Sequence, residues 1–210
     1  AAAFYRDLST QATGKNLQAE MLTGQARCLQ KAEDYKEAVR VYARIASAYP
    51  DSLTPSGAPL GLLGRLQSVE CHRRIGDPRG AAGFALEAFR DVLVKPSPLT
   101  EDQFKTYASL IEEAFDTLIA GANGSQVPEE LQREYAELRT TRDIRVNEWE
   151  AVSLLKREVV PELERRLALS GAYSPESYRF ARNIEGRDIL LLAAWIPERN
   201  GQEIAGIFGV

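Results

Sequence analysis

Two short clusters of polar residues are the part of this sequence best suited to bind an anion. Arg27 and Lys31 lie about one helical turn apart, with Gln30 between them. Arg73 and Arg74 are adjacent further along the chain. Guanidinium groups bind carboxylates through paired, charge-assisted hydrogen bonds, and an ammonium group adds a point charge. These residues predict a site for a carboxylate or another anion; the alternative is that the cations solvate an exposed helix face.

Motifs of known catalytic chemistry are absent from the sequence. It contains no Gly-rich phosphate loop, no G-x-S-x-G, no HExxH, no phosphoacceptor His motif and no ATP-binding motif. The single histidine, His72, precedes two arginines on a helix whose apolar face lies elsewhere, which favours a surface or groove side chain over a metal ligand. Adjacent carboxylates such as Glu112 and Glu113 are typical of solvated helix faces. We therefore predict no catalytic residue, no cofactor and no metal site.

Composition and charge exclude several classes of protein. The 210 residues include 44% hydrophobic and 27% charged residues, which are ordinary values for a globular chain. Residues 1–100 carry 13 Lys and Arg against 10 Asp and Glu, and residues 101–210 carry 13 against 20, so neither half indicates nucleic-acid binding. Cys28 and Cys71 are too few for a disulfide framework, and buried thiols are expected. No apolar run approaches the roughly 20 residues of a transmembrane helix.

Short antiparallel helices are the elements that would position the basic residues. Between Met21 and Pro50, apolar residues recur at helical spacing on both sides of a break near Glu33, which predicts a helix pair. This stretch resembles a tetratricopeptide repeat, in which Glu33 replaces the usual glycine and Ile45 the usual alanine. The resemblance is carried by a small set of residues at the repeat's spacing: Ala26, Tyr35, Ala38, Tyr42 and Pro50.

A second helix pair is predicted over residues 60–75 and 79–93, joined by a turn at Gly76. The interval from Ala38 to Ala81 is 43 residues, longer than the roughly 34 of the usual repeat, and the loop at 51–59 accommodates the difference. In such arrays the helix that opens each pair lines the concave surface. The resemblance therefore implies one shared groove, which could bind an acidic peptide end, for seven residues: Thr23, Arg27, Gln30, Lys31, Glu70, Arg73 and Arg74.

Three further helices are predicted around these pairs. Residues 2–12 would be the second helix of a preceding pair, and Thr100 is predicted to cap a helix that closes the array. From Glu129 a helical pattern continues to about Leu169, with a kink expected at Pro161. One interpretation is an amphipathic helix that lies on the next module. The other is a signalling stalk or dimerisation helix, which implies a homodimer.

Strand patterns replace helical ones after the long helix. Alternation and intervening turns predict an antiparallel sheet with strands at Ser177–Asn183, Asp188–Ile196 and Glu203–Val210. Taken with the helical repeats, this ending resembles the extracytoplasmic sensor region of a bacterial membrane histidine kinase, with a sheet of the PAS or Cache type. The resemblance implies sensing of a ligand or partner outside the membrane, with kinase activity in a part of the polypeptide not present here.

The predicted fold is mainly α, with a tetratricopeptide-like helical hairpin array over 1–125. A second region, 126–210, would join the long helix to a partial PAS- or Cache-like sheet. Because the chain begins inside a helical pattern and ends inside a strand pattern, we expect a fragment of a longer polypeptide.

Three functional hypotheses follow from this organisation. The first is a non-catalytic sensory input module in the periplasm, held by membrane segments outside this sequence. The second is a cytoplasmic scaffold that binds an acidic peptide or a protein. The third is an enzyme whose site lies partly in missing sequence. The expected partner is a small ligand, a peptide or a protein, and not a nucleic acid.

Overall fold

The computed structural model describes most of the helical part of the chain and the backbone of three strands. The described residues are 1–93, 99–121, 127–161, 165, 178–184, 187–196 and 204–209. They divide into two compact units, Ala1–Glu150 and Ala151–Val210, and each is treated by itself. The described structure is mainly helical, which confirms the predicted mainly α class.

Seven α-helices occur in the described residues, and none of them is both long and apolar enough to cross a membrane. Their bounds are α1 Ala2–Gln11, α2 Lys15–Lys31, α3 Tyr35–Ala48, α4 Leu60–Arg74, α5 Pro78–Leu93, α6 Glu101–Ala120 and α7 Glu129–Leu154. The helix predicted to open near Met21 in fact begins at Lys15, directly after Gly14, and buries Ala19 and Leu22.

Successive helices of the first unit pack on one another in chain order. Contacts join α1 to α2, α2 to α3, α3 to α4, α4 to α5 and α5 to α6, and α2 also contacts α4. One apolar cluster lies among α2, α3 and α4, around Tyr42 and Ile45. A second extends from α4 to α7, around Phe89, Phe104 and Phe115. The opening helices of the two pairs, α2 and α4, are therefore neighbours.

The α2–α3 turn is closed by backbone hydrogen bonds and an acidic cap. The amide of Asp34 donates to the carbonyl of Leu29 at 3.0 Å, and the amide of Glu33 to that of Gln30 at 3.1 Å. Glu33 has φ 62°, the left-handed conformation that this Schellman cap requires. The Asp34 side chain then accepts the amide of Glu37 and begins α3.

The α4–α5 turn has the same hydrogen bonds at equivalent positions. The amide of Asp77 donates to the carbonyl of His72 at 2.9 Å, and the amide of Gly76 to that of Arg73 at 3.1 Å. Gly76 takes the left-handed conformation with φ 71°. The Asp77 side chain accepts the amide of Gly80 at 2.9 Å. The two turns thus reverse the chain in the same way.

A capping box fixes the start of α6. The amide of Gln103 donates to Oγ1 of Thr100 at 3.3 Å, and the amide of Thr100 donates to Oε1 of Gln103 at 3.0 Å. The predicted Thr100 cap is therefore confirmed. Aromatic contacts hold α7 against this helix: the rings of Phe115 and Tyr135 stack at 4.1 Å, and those of Phe104 and Trp149 meet edge to face at 4.4 Å.

The long helix predicted to continue to about Leu169 changes form earlier. Its α-helical part ends at Leu154, and a π-helical turn follows at Leu155–Val159. A proline removes one backbone donor and crowds the carbonyl four residues before it, which here belongs to Arg157. Widening the helix over this turn relieves that crowding before Pro161. Residues 162–164 and 166–177 lie outside the described residues, and so does the predicted end of the helix.

Three strands form an antiparallel sheet in the order β1-β2-β3 in the second unit. Their bounds are β1 Tyr178–Ile184, β2 Arg187–Ile196 and β3 Ile204–Gly209. The register pairs Tyr178 with Ala193 and Ile196 with Ile204.

Candidate functional site

Glu70 holds two arginines at the end of α4. The Nε atom of Arg73 lies 3.2 Å from one carboxylate oxygen of Glu70, and the Nε atom of Arg74 lies 2.7 Å from the other. This arrangement follows from helical spacing, because residues three and four apart lie on one face. Among the described residues, no other hydrogen bond reaches either guanidinium. Both Nη groups of each arginine are thus available to bind a second carboxylate.

Two more of the predicted cations lie on α2, the neighbouring helix. Arg27 and Lys31 are both exposed. Within the described part of the chain, neither forms an ion pair. Thr23, which was predicted to face the same groove, donates its hydroxyl to the carbonyl of Ala19 in its own helix at 2.8 Å. The charges of Arg27 and Lys31 are therefore balanced by solvent and by any bound anion.

Gln30 differs from the other predicted site residues because its side chain is engaged inside the helix pair. The hydroxyl of Tyr42 donates to Oε1 of Gln30 at 3.2 Å. Burial, followed by the effect of Cys71, raises the pKa of Tyr42 to about 12 against the opposing charge of Arg27. Tyr42 also packs in one buried cluster with Ala26 of α2 and Cys71 of α4, so the two opening helices meet around this side chain.

The α2–α3 turn lies beside the end of α4. A hydrogen bond and charge from Glu70 raise the pKa of Arg74, and Tyr35 at the start of α3 and Glu33 in that turn raise it further. The structure thus brings Arg73 and Arg74 together on Glu70 and places Arg27 and Lys31 on an adjoining helix. We call these five residues the α2/α4 surface: Arg27, Lys31, Glu70, Arg73 and Arg74.

An open cleft of about 220 Å³ adjoins this surface at Arg73. It lies between the α4–α5 turn and the end of α6. Sequence reasoning missed it because α6 is distant along the chain and carries no motif that points to α4. Its lining residues are Arg73, Gly76, Asp77, Pro78, Thr117, Leu118 and Gly121.

His72 is largely buried, so the prediction of a surface or groove side chain is wrong. Its side chain is 14% exposed and stacks on Phe84 at 5.1 Å, because the residue faces α5. Its Nδ1 lies 2.9 Å from a carboxylate oxygen of Asp77. Its Nε2 is buried, with no hydrogen-bond partner among the described residues. An imidazole nitrogen shielded in this way cannot exchange a proton with a bound substrate.

Asp77 joins His72 to the start of α5. The hydrogen bond from the Gly80 amide has the largest effect and lowers the pKa of Asp77; burial opposes it, and the His72 side chain lowers the pKa further. A Cβ atom on Gly80 would lie 2.4 Å from both Asp77 Oδ2 and His72 Nδ1, so only glycine fits without a shift. This cluster therefore organises the turn.

The thiol of Cys71 and the possible metal ligands of the described residues do not form a reactive site. Cys71 is fully buried, and burial, followed by the charge of Glu70, raises the pKa of its thiol to about 11. Such a thiol is protonated at neutral pH and is a poor nucleophile. In the described part of the chain, no cluster of three or more His, Cys, Asp or Glu could hold a metal ion.

Comparisons of the chain with protein-family models, with curated proteins and with solved structures give no match. The side chains themselves must therefore indicate the function.

Proposed function

We propose that the chain is a non-catalytic binding module, built from tetratricopeptide-like helical repeats, that recognises carboxylates of a protein or peptide partner. The binding site would be the α2/α4 surface. The observation that carries this proposal is the arrangement of Arg73 and Arg74 on Glu70, with outer nitrogens that no described residue engages. Two oriented guanidinium groups lose less side-chain entropy on binding than two mobile ones, which favours a specific contact.

The two matching turns support the repeat part of the proposal. Leu29 and His72 supply equivalent carbonyls, and Asp34 and Asp77 supply both the closing amide and the cap of the next helix. The contact between α2 and α4 is also the one that stacked helix pairs make through their opening helices. Repeats of this kind bind partners along the surface that these opening helices share.

The charge of the α2/α4 surface supports an acidic partner. It carries four cations; Glu70 within the surface pairs with Arg73 and Arg74, and Glu33 beside it acts on Arg74. The whole chain has a formal net charge of −4, so this positive surface is a local feature. Electrostatic complementarity of this kind orients a partner and speeds its association.

Binding of a fluorescein-labelled acidic peptide, followed by fluorescence anisotropy, tests the proposal. We expect a Kd in the micromolar range that weakens with salt, because exposed charges are screened over about 10 Å at 0.1 M. Arg73→Ala with Arg74→Ala should weaken binding about tenfold or more. The matched control, Arg40→Ala with Arg44→Ala, removes the same charge from exposed positions on α3 and should leave the affinity within about twofold.

Equal losses in the two double variants would show that only net charge matters, and would contradict a defined site. Binding that is insensitive to both variants would contradict the α2/α4 surface as the binding site. Thermal denaturation of each variant checks that it is folded. Arg40 is a suitable control because it also pairs with a carboxylate on its own helix, Glu37 at 2.9 Å.

We also propose the setting that the sequence resemblance implies, the extracytoplasmic sensor region of a bacterial membrane histidine kinase. The three-stranded region would then be part of a PAS- or Cache-like sheet, and dimerisation would occur through α7. Sequencing the coding region on both sides tests the setting. Apolar runs of about 20 residues before Ala1 and soon after Val210 would support it, and polar sequence on both sides would contradict it. A monomer by light scattering would count against the dimer.

A further inference from the structure

The cleft beside Arg73 has a size that suits one side chain better than a free small ligand. Its volume of about 220 Å³ is below the roughly 300–1,000 Å³ of typical small-molecule sites. It is open to solvent along one side, so a chain could pass over it and insert a single residue. A peptide is therefore the ligand class that its dimensions favour.

The walls of the cleft are largely apolar. Pro78 and Leu118 contribute hydrocarbon, and Gly76 and Gly121 present backbone without side chains. The chain neighbour of Leu118, Ile119, is 36% exposed. An aliphatic side chain placed in the cleft would thus exchange water for hydrocarbon, which is favourable.

The charges around the cleft favour an acidic segment. The carboxylate of Asp77 is engaged by the Gly80 amide and by His72. Arg79 and Glu130 lie 3.8 Å apart and offset each other. Among the described residues that line the cleft, Arg73 is the one with donors that no other described residue engages, and it belongs to the α2/α4 surface as well. A ligand bound there would meet a positive charge and an apolar cavity side by side.

We propose that the partner segment which places a carboxylate on Arg73 and Arg74 also inserts a neighbouring leucine-sized aliphatic side chain into this cleft. The inference rests on the proposed function, because Arg73 is the residue common to both contacts. The recognised sequence is thus an acidic residue close to an aliphatic one. The cleft supplies the preference for the aliphatic residue, and the arginine pair supplies the preference for the acidic one.

Two peptides of equal charge test this proposal on the whole chain. Both carry the same acidic residues, and one has leucine where the other has alanine. We expect the leucine peptide to bind about tenfold or more tightly, as burial of one aliphatic side chain implies. Thr117→Trp should abolish this gain, because Thr117 is exposed on the cleft wall and a large ring there would fill the cleft. Thr106→Trp, on the same exposed face of α6 about three turns away, should preserve it.

The outcomes separate this inference from the function on which it rests. Equal binding of both peptides, with loss on Arg73→Ala plus Arg74→Ala, would overturn the cleft and leave the arginine site standing. A leucine gain that survives Thr117→Trp would place the aliphatic contact elsewhere and would also overturn the inference. Failure of both peptides to bind would reject the arginine site and the cleft together.

Discussion

The α2–α3 and α4–α5 turns have the same backbone and different side chains. In the first, Glu33 takes the left-handed conformation; in the second, Gly76 does. This conformation costs glycine little free energy, whereas it costs an L-residue with a Cβ atom about 1–2 kcal/mol. The comparison shows that the hydrogen bonds of the cap determine the turn, and that a suboptimal residue is tolerated when those bonds are complete.

The two turns also differ in the side chains that lie about one helical turn before the cap and one helical turn after it. The α2–α3 turn has Leu29 and Glu37 at the positions where the α4–α5 turn has His72 and Gly80. The histidine ring and the Asp77 carboxylate occupy the space that a Cβ atom on residue 80 would need, so any residue other than glycine forces them to shift. The histidine and the glycine of the second turn therefore depend on each other. A repeat pattern that considers one position at a time does not reveal this dependence.

Gly80→Ala should produce the largest effect on this comparison. We expect a loss of about 1–2 kcal/mol in the free energy of unfolding, because overpacking costs about 1–3 kcal/mol and exceeds the gain of about 1 kcal/mol in helix propensity. Urea denaturation followed by circular dichroism measures it. The double variant His72→Leu with Gly80→Ala recreates the pairing of the first turn and should recover at least half of the loss.

An additive double variant would contradict the steric account, because residues in contact should couple. The single variant His72→Leu completes the double-mutant cycle, together with Gly80→Ala and the double variant. The α2–α3 turn already shows that leucine and a residue with a Cβ atom coexist in this geometry.

Exchange of the left-handed residues should give effects of opposite sign. Glu33→Gly should stabilise the chain by about 1 kcal/mol, and Gly76→Ala should destabilise it by about the same amount. Both positions are exposed and Gly76 has open space around it, so packing should contribute little. Thermal melting measures the pair. Equal signs would mean that φ does not control these positions.

Loss of charge at the caps should give the smallest effect, and it should depend on pH. The folded chain lowers the pKa of Asp77, so its carboxylate stabilises the fold above the ordinary pKa of about 4, and this contribution is lost as pH falls through the lower pKa of the folded state. Asp77→Asn should cost about 0.3–1 kcal/mol at pH 7, a small effect because the side chain is 45% exposed and screened, and almost nothing at about pH 2, where the carboxyl is protonated in both states.

Asp34→Asn is the matched control for this measurement. Asp34 accepts its capping amide at 3.3 Å, a longer distance than the 2.9 Å at Asp77, and no histidine pairs with it. Its loss should therefore be smaller at pH 7. A cost of Asp77→Asn that is the same at both pH values would contradict the electrostatic explanation.

Local signals explain why most helices could be predicted. The breaks at Glu33 and Gly76, and the cap at Thr100, are determined by residues within one turn of each boundary. The end of α7 was harder to predict, because Pro161 is preceded by a π-helical turn and the α-helix ends several residues before the proline. The burial of His72 also escaped prediction, since it depends on space left by Gly80 across the helix interface.

The arginine part of the candidate site was predicted, and the cleft was not. Arg73 and Arg74 follow Glu70 at helical spacing, so their pairing could have been read from the sequence. Gln30 was predicted to line the groove, and no sequence pattern indicated that the Tyr42 hydroxyl of the next helix would donate to its Oε1. Contacts between separate helices decide such cases, and a single sequence does not contain that information.

The chain-order packing of the first unit has a consequence for how it folds. Its main contacts join each helix to the next or the next but one, including those of α7 with α5 and α6. Such contacts close short loops, which costs little chain entropy, and proteins dominated by them fold quickly for their size. We therefore expect the helices of the first unit to pack in order from α1 as synthesis proceeds.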